Sequence, residues 1–484
     1  MIGDVLKLRR PLWDHQRECL NKMAGRKAFA VLMAMRLGKT ATILVDYSRL
    51  EAAGEVTNLF VLAPGGAYRT WEEAAGDDVP HSLLSRLTIH VWRSGSSVTQ
   101  VRSREAFMKA VDGPRMLIMN IEALSSVETA RSLSTAFLAA APAMMVVDES
   151  TVLRDPGSKR TKFVVGKLAP MAPYRRILSG LPSPNSPFNL FSQFEFLDWR
   201  ILGHDSFWTF RAQYARMARI RLPNGHQFWE VKGYRNLDDL QRKIEPHSFR
   251  KRLEDVYDMP PKLYSYRHVE MGKEQKRIYD ELKNFATAKL TSTEHVTATI
   301  VIALLVRLHQ VLCGHAVDEE GKVHAVPENR TAALLDLFQE YDGKAIVWVS
   351  YDFNVRAVTD ALKVEYGPDS VARFWGGNRD TREEEERRFK TDPKCRFMVA
   401  TPAAGGRGRT WTVADLVVYF SNSYDLEHRS QSEERPQGVG KTRSVAYVDL
   451  VVKDTIDERI IKALRRKIVL ASAITGDNWQ EWLA

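Results

Sequence analysis

An apolar run that ends in a Gly-Lys-Thr turn constrains this chain more than any other feature. The run KAFAVLMAM covers residues 27–35, and Gly38, Lys39 and Thr40 follow it, before the helix-compatible segment ATILVDYSRL. A strand, a turn of this composition and a helix together present backbone N–H groups, a lysine and a hydroxyl to the phosphates and magnesium of a nucleotide. The segment therefore predicts a phosphate-binding loop.

A second string, MMVVDES at residues 144–150, contains an acidic pair. Four apolar residues precede Asp148 and Glu149. The string resembles a Walker B strand, in which the first acid holds the metal through water and the second polarises the attacking water. A solvated strand end is the alternative interpretation of such a pair. Its position after an apolar strand, with Lys39 upstream, favours catalysis, and the two strings together predict an NTP hydrolase.

The chain contains a second Gly-Lys-Thr triplet, within GVGKT at residues 438–442. This copy follows the charged string HRSQSEERPQ instead of an apolar strand, and a β-like segment comes after it. A phosphate loop needs a strand before it and a helix after it. The pattern therefore favours Lys39 over Lys441 as the phosphate-binding lysine, even though Met33 takes the place of the first glycine of the long consensus.

Composition describes a folded protein with a basic surface. The 484 residues exceed what one hydrophobic core holds, and 70 Lys and Arg against 60 Asp and Glu give a formal charge of +10, which favours a polyanionic partner such as nucleic acid. Cys19, Cys313 and Cys395 are isolated, which predicts buried thiols and neither a zinc module nor a disulfide framework. The chain shows no apolar stretch of membrane-spanning length and no secretory signal, so a cytoplasmic location is expected.

Two series of short apolar runs predict two α/β lobes with buried parallel strands. The first series lies within residues 27–180 and the second within residues 344–451. Between them lies a stretch rich in Arg, Phe, Trp and Tyr, in which Pro223, Asn224 and Gly225 predict a hairpin turn. The predicted division is a nucleotide-binding lobe at 1–185, an insertion and link at 186–262, and a second lobe at 263–484.

These segments, in this order, resemble the Swi/Snf-like branch of the superfamily-two helicase-like ATPases, and more closely its compact phage and prophage versions. The resemblance covers nearly the whole chain. The segments that carry it are WDHQRECL around Gln16, MRLGKT, LAPGGAYRTW (62–71), NIEAL (120–124), DESTVLRDPGSKRTK (148–162), SGLPSPNSPFNLFSQFEFLD (179–198), SFRKRLEDVYDMPPK (248–262), LVRLHQVLC (305–313), ATPAAGGRGRTWTVADLVVYFS (400–421) and the run 431–452.

The resemblance implies two RecA-like lobes with an inserted helical and hairpin segment, and ATP with Mg²⁺ in the cleft between the lobes. The implied catalytic residues are Lys39, Asp148, Glu149 and Arg435, with Thr40 and Asp148 as metal ligands. The implied nucleotide-binding residues are Gln16, which would read adenine, then Arg36, Leu37, Gly38, Lys39, Thr40, Ala41, Gly408 and Arg435.

The last motif departs from the family pattern Gln-x-x-x-Arg-x-x-Arg. Gln431 and Arg435 are in register, but Gly438 stands at the second arginine position. Because an arginine finger is worth about a thousandfold or more in rate, three interpretations stay open. Arg435 suffices alone, a neighbouring arginine (Arg407, Arg409 or Arg443) substitutes, or the chain is an impaired or engineered form. Arg36 also replaces a usual glycine, with a side chain that can project away from the nucleotide.

The function that the resemblance implies is a monomeric, DNA-dependent ATPase motor that moves on duplex or branched DNA without reading its sequence. Two rivals remain: a strand-separating DNA or RNA helicase, and a hydrolysis-impaired, ATP-gated nucleic-acid-binding scaffold. Phage relatives suggest phage or host replication and repair proteins as partners. In the hairpin, Arg219, Arg221 and Lys232 are candidates for duplex contact. The run REEEERR (382–388) predicts an exposed helix face and receives no function.

Overall fold

The computed structural model describes residues 7–65, 68–95, 97–221, 227–292, 298–404, 409–438 and 440–475. The chain forms two compact units. The first unit comprises Met1–Ala218, Val231–Asp258 and Val469–Ala484, and the second comprises Arg219–Glu230 and Met259–Ile468.

The first unit is built on a seven-stranded sheet in the order β3-β4-β2-β5-β6-β1-β9, and all its neighbouring strands run parallel. The strands are β1 (Ala28–Met33), β2 (Asn58–Ala63), β3 (Thr88–Val91), β4 (Arg115–Asn120), β5 (Ala143–Val147), β6 (Tyr174–Leu178) and β9 (Ser248–Lys251). The helices before the insertion are α1 (Asp14–Met23), α2 (Lys39–Ala52), α3 (Tyr68–Asp78), α4 (His81–Leu84), α5 (Val98–Lys109), α6 (Glu128–Ala140) and α7 (Lys159–Phe163).

Both faces of this sheet are covered, which explains why its strands are apolar throughout. Phe60 and Leu62 of β2 enter one core, whereas Leu59 and Val61 enter the other. Alternate residues of a strand point to opposite faces, so a strand buried on both sides needs a continuous apolar run.

The insertion combines helices with a strand pair. It contains α8 (Leu190–Asp198), α9 (Phe207–Tyr214), the two-stranded sheet of β7 (Ala215–Arg221) and β8 (Gln227–Tyr234), and α10 (Leu237–Ile244). The predicted strand pair is therefore present. Its predicted turn at Pro223, Asn224 and Gly225 lies outside the described residues.

The second unit is built on a six-stranded sheet in the order β10-β17-β16-β13-β15-β14, again parallel throughout. Its strands are β10 (Lys262–Val269), β13 (Ala345–Trp348), β14 (Val371–Phe374), β15 (Phe397–Ala400), β16 (Leu416–Tyr419) and β17 (Val445–Val452), and β11 (His315–Val317) pairs antiparallel with β12 (Val323–Ala325). The helices are α11 (Lys273–Ser292), α12 (Ala298–Leu312), α13 (Arg330–Gln339), α14 (Asp352–Tyr366), α15 (Arg382–Thr391), α16 (Leu426–Glu433) and α17 (Ile456–Thr475), of which α17 ends in the first unit.

The predicted α/β class with two parallel-sheet lobes is confirmed. Cys19, Cys313 and Cys395 are buried free thiols, as predicted. Across the described residues, no helix combines the length and apolarity that a membrane span requires, and no group of three or more His, Cys, Asp or Glu side chains is placed to hold a metal ion.

Candidate nucleotide-binding site

The sequence motifs of the first unit follow the carboxyl ends of neighbouring strands. The loop 34–38 follows β1, Asp148 follows β5, and Ser179 and Gly180 follow β6, which lies between β1 and β5. Because the strands are parallel, these ends share one edge of the sheet, where open α/β folds bind ligands. Two strand spacings place the ends of β1 and β5 about 10 Å apart.

The loop after β1 has a backbone that requires glycine at one position. Gly38 takes a left-handed φ of 72°, and a Cβ there would lie 2.2 Å from Gln16 Nε2. Arg36 also has a positive φ, 68°, a conformation that costs a non-glycine residue about 1 kcal/mol or more. Because these left-handed conformations are unfavourable for Arg36 and available to Gly38, contacts with the rest of the unit must hold the loop backbone in place.

Helix α1 supports the loop from one side. His15 Nε2 lies 2.9 Å from the carbonyl oxygen of Leu37, and Gln16 Nε2 donates to that of Gly38 at 3.3 Å. Gln16 Oε1 also accepts from the N–H of Trp13 at 2.9 Å. The glutamine that the resemblance assigns to adenine thus also fixes the conformation of the phosphate loop.

The Lys39 ammonium lies against the start of its own loop. Lys39 Nζ donates to the carbonyl oxygens of Met33 at 2.9 Å and Ala34 at 3.2 Å. An ammonium has three donors, so it can hold both carbonyls and still bind an anion. Lys39, Thr40 and Ala41 open α2, a helix of 14 residues with no acid in its first turn, where the free N–H groups and the helix dipole favour an anion.

The acidic pair is held from two directions. Asp148 Oδ2 accepts a hydrogen bond from the indole N–H of Trp71 at 2.9 Å, and Asp148 Oδ1 accepts from the N–H of Glu149 at 2.9 Å. Trp71 is fully buried. Glu149 has a left-handed φ of 47° and is 9% exposed. Such a strained residue next to a fixed carboxylate is typical of a functional site.

A buried glutamine joins the acidic pair to the segment after β6. Ser150 Oγ donates to Gln193 Oε1 at 2.6 Å, and Gln193 Nε2 donates to the carbonyl oxygens of Pro182 at 2.7 Å and Asn189 at 2.6 Å. Both Ser150 and Gln193 have no exposed surface. The segment 179–198 is thereby tied to the residue that follows Glu149.

Arg435 belongs to the second unit, where its side chain is 2% exposed. Arg435 Nη1 donates to the carbonyl oxygen of Arg409 at 2.6 Å, and Arg435 O accepts from the N–H of Trp411 at 2.9 Å. Among the proposed substitutes, Arg409 pairs with Glu386 at 2.5 Å and Arg443 lies 3.6 Å from Asp415. Arg407 and Gly408 lie outside the described residues.

The second Gly-Lys-Thr triplet has the geometry of a structural lysine. Lys441 Nζ donates to the carbonyl oxygens of Thr412 at 2.8 Å and Ala414 at 2.5 Å, and pairs with Asp415 at 2.7 Å. Its side chain is 4% exposed. These contacts support the interpretation that Lys441 of GVGKT has a structural role and does not bind phosphate.

Comparison with known proteins identifies the family. Residues 15–317, more than half of the chain, match the model of the SNF2-related domain. The chain belongs to the SNF2-related domain family.

Its relatives are longer proteins. The chain is 22% identical over 386 residues to the TATA-binding protein-associated factor MOT1 of Saccharomyces cerevisiae, covering 69% of this chain and 20% of MOT1. It is 23% identical over 480 residues to the DNA annealing helicase and endonuclease ZRANB3 of Bos taurus, covering 97% of this chain and 41% of that protein. A solved structure titled Sulfolobus solfataricus SWI2/SNF2 ATPase core in complex with dsDNA shares 19% identity and a TM-score of 0.42, over 99% of this chain and 96% of that one. The chain thus spans a fifth to two fifths of these curated relatives.

Three side chains of this SNF2-related chain were missed as functional candidates. Trp71 and Gln193 lie in segments that the resemblance covers, but their contacts join residues 77 and 43 positions apart in sequence. Glu386 lies in the run REEEERR, and the prediction of an exposed face is wrong for it. Its side chain is 6% exposed and binds Arg409, Lys390 at 2.7 Å and the Trp411 indole at 3.2 Å.

Elsewhere in that run, Glu383, Glu384 and Arg387 are exposed, whereas Arg382, Glu385 and Arg388 are partly buried. The sequence pattern predicts the i,i+4 pairs Glu383–Arg387 and Glu384–Arg388, but the observed ion pairs have a different spacing. Arg387 pairs with Glu384 and Arg388 with Glu385, both at i,i+3. The signal for the burial of Glu386 is Phe389, three residues later and fully buried, because residues three apart share a helix face.

Proposed function

We propose that this SNF2-related chain is a DNA-stimulated ATPase that moves along or remodels duplex or branched DNA. The observation that carries the proposal is the shared sheet edge, on which Gly38, Lys39 and the Asp148–Glu149 pair follow strands separated by a single neighbour. A lysine-bearing helix N-terminus and a fixed acidic pair at this distance suit a nucleoside triphosphate with its metal ion.

Each residue has a distinct proposed role. The N–H groups of the loop and of the first turn of α2, with Lys39, bind phosphate oxygens. The Thr40 hydroxyl and the Asp148 carboxylate are the oxygen ligands that Mg²⁺ prefers, and the bound ion neutralises charge on the terminal phosphates. The Trp71 indole orients Asp148 for this by donating a hydrogen bond to its carboxylate. Glu149 orients the attacking water and accepts its proton.

Arg435 is proposed to supply the positive charge that stabilises the terminal phosphate in the transition state. Gly438 offers no side chain for this purpose, so Arg435 carries the role alone or with Arg409. This same observation favours the alternative function, an ATP-gated scaffold with impaired hydrolysis, which predicts nucleotide binding with almost no turnover.

DNA is the proposed polymer because one relative, ZRANB3, is named a DNA annealing helicase and endonuclease. The net charge of +10 supports a polyanion. Contacts to phosphates read no sequence and lose affinity steeply with salt. We therefore propose sequence-independent binding with a strong salt dependence. The phage type, the monomeric state and the three-part division at residues 185 and 262 remain predictions.

Matched lysine variants test the site assignment. Lys39→Arg keeps the charge but alters the ammonium that holds Met33 and Ala34, and should weaken binding of a fluorescent ATP analogue and abolish turnover. Lys441→Arg is the control, since it makes the same change in the second Gly-Lys-Thr triplet, and should leave nucleotide binding within about twofold of the parent. Weakened binding in Lys441→Arg with normal binding in Lys39→Arg would overturn the assignment.

A further inference from the structure

The insertion exposes a tryptophan, Trp208, to solvent at the start of a packed helix. Trp208, in the first turn of α9, is 68% exposed. Tryptophan is usually largely buried in a folded protein, so an indole exposed to this degree suggests a binding surface. The guanidinium carbon of Arg211 lies over the Trp208 ring, 5.5 Å from its centre, so one face of the indole carries a cation and the opposite face is the one considered for stacking.

The support beneath Trp208 is aromatic: Phe191 and Phe210 are buried, and Phe188 and Phe207 are partly buried. Phe207 packs against Phe188 and Phe191 with ring centres 6.0 and 5.7 Å away, and Phe210 packs against Phe191 at 5.5 Å. The Ser206 hydroxyl caps the helix by accepting from the N–H of Trp208 at 3.2 Å. These contacts fix the start of α9, so the indole is presented without the entropic cost of ordering a loop.

The same segment carries much of the positive charge of the chain. Residues 199–235 contain seven Lys and Arg residues against two acids, a net +5 that equals half of the formal charge of the whole chain. An exposed ring within a basic segment is the composition of surfaces that bind single-stranded nucleic acid, where bases stack on aromatic rings and cations contact phosphates.

We propose that Trp208, with Arg211 beside it, is a stacking site for an unpaired base of DNA. Bases within a duplex are stacked on each other and offer no free face to a protruding indole, whereas a base in a single-stranded arm or at a branch point does. The inference rests on the proposed function, because it takes DNA as the polymer. It adds to that function the form of DNA that is preferred, a duplex with a single-stranded extension.

The expected effect follows from the energy of stacking. A base stacked on an aromatic side chain is worth about 1–3 kcal/mol, which corresponds to a change in affinity of roughly 5- to 150-fold. The Trp208→Leu variant keeps an apolar side chain but loses the aromatic face, and Trp208→Phe keeps the face. Because Trp208 is exposed, neither change should disturb the fold.

The test measures the affinity of the full chain for a forked DNA with single-stranded arms and for a blunt duplex of the same length, at one salt concentration. Trp208→Leu should weaken binding to the fork by at least about fivefold and binding to the blunt duplex by less than about twofold, while Trp208→Phe should retain most of the fork affinity. A 2-aminopurine in the single-stranded arm should be quenched by the parent chain and by Trp208→Phe, but not by Trp208→Leu.

Trp199 provides a matched control, since it is another tryptophan of the first unit and is 48% exposed. Trp199→Leu should keep the preference for the fork. An equal loss of fork binding in both leucine variants, an equal loss on both DNAs in Trp208→Leu, or no loss at all would overturn the stacking site. If the parent still hydrolyses ATP in response to duplex DNA in those cases, the proposed function survives the failure of this inference.

Discussion

The indole N–H of Trp71 donates a hydrogen bond to Asp148 Oδ2 at 2.9 Å, and Trp71 has no exposed surface. The bond ties the first carboxylate of the acidic pair to α3, the helix that follows β2. A hydrogen-bond donor fixes the orientation of a carboxylate, and such outer partners of a metal ligand strongly affect metal affinity. Trp71 is therefore a positioning residue for Asp148.

Replacing this tryptophan tests that role. Trp71→Phe keeps a buried ring but removes the donor, so the Mg²⁺ concentration that gives half-maximal ATPase activity should rise by about 10- to 100-fold. Trp92→Phe makes the same change at a tryptophan that is 2% exposed in the same unit, and should leave the Mg²⁺ dependence unchanged. Equal Mg²⁺ titrations for the parent and Trp71→Phe would show that the indole does not tune the site.

The Ser150–Gln193 hydrogen bond predicts a variant that separates ATP binding from stimulation. Gln193→Leu removes the link between Ser150 and the carbonyl oxygens of Pro182 and Asn189. The ratio of ATPase rates with and without DNA should fall, while ATP binding changes little. Unfolding should be easier by about 1–3 kcal/mol because buried polar groups lose their partner.

A double-mutant cycle provides the control for this effect. Ser150→Ala combined with Gln193→Leu should cost less stability than the two single changes added together, with a coupling energy of about 1 kcal/mol. Strict additivity of the two stability changes, together with an unchanged ratio of ATPase rates with and without DNA, would show that the Ser150–Gln193 hydrogen bond contributes neither to stability nor to stimulation by DNA.

The missing second arginine of the last motif leads to a third prediction. If Arg435 serves as the finger, Arg435→Lys should lower kcat by about a thousandfold, and Gly438→Arg should change it by less than about threefold. Circular dichroism checks the fold of Arg435→Lys, because the parent side chain is buried and holds the Arg409 carbonyl oxygen. A large gain in Gly438→Arg would instead establish the impaired scaffold.

A buried histidine in the second unit gives the folded chain a pH-sensitive group. His309 is 5% exposed, with Nδ1 2.8 Å from the Tyr351 hydroxyl and Nε2 3.6 Å from Asp457 Oδ1. The pKa of His309 is lowered to about 4, mainly by burial. The Asp457 carboxylate opposes this shift, whereas the positive charge of Arg330 and the nearby His315 ring add to it. The Cys313 thiol also lies 3.8 Å from Nε2.

Because the pKa of His309 is lower in the folded chain than its value of about 6.5 in an unfolded one, the neutral ring stabilises the fold above pH 6.5. This contribution, about 3 kcal/mol at most, should be lost as the pH falls from about 6.5 to about 4. The measurement compares unfolding free energies of the parent and His309→Gln across this range. Parallel pH profiles for the two proteins would contradict the assignment.

The sequence predicted the backbone of the site better than its side-chain contacts. The loop at Gly38 and Lys39 and the acids after β5 were predictable because local patterns, an apolar run followed by a turn or by two acids, determine where strands end. The Trp71–Asp148 contact was not predictable, since it depends on which strands become neighbours in the sheet. Glu386 differs from that contact, because Phe389, three residues later in the sequence, marks it as the member of the four-acid run that shares the buried helix face.

The central claim is DNA-stimulated ATP hydrolysis at the Lys39 and Glu149 site. The most direct test measures steady-state ATPase rates without polymer and with single-stranded DNA, duplex DNA, forked DNA or RNA, each beside Glu149→Gln, which should bind ATP without hydrolysing it. The account predicts strong stimulation by duplex and forked DNA, little by RNA, and background rates in Glu149→Gln. Near-normal turnover in Glu149→Gln, or background rates of the parent with every polymer despite DNA binding, would contradict it.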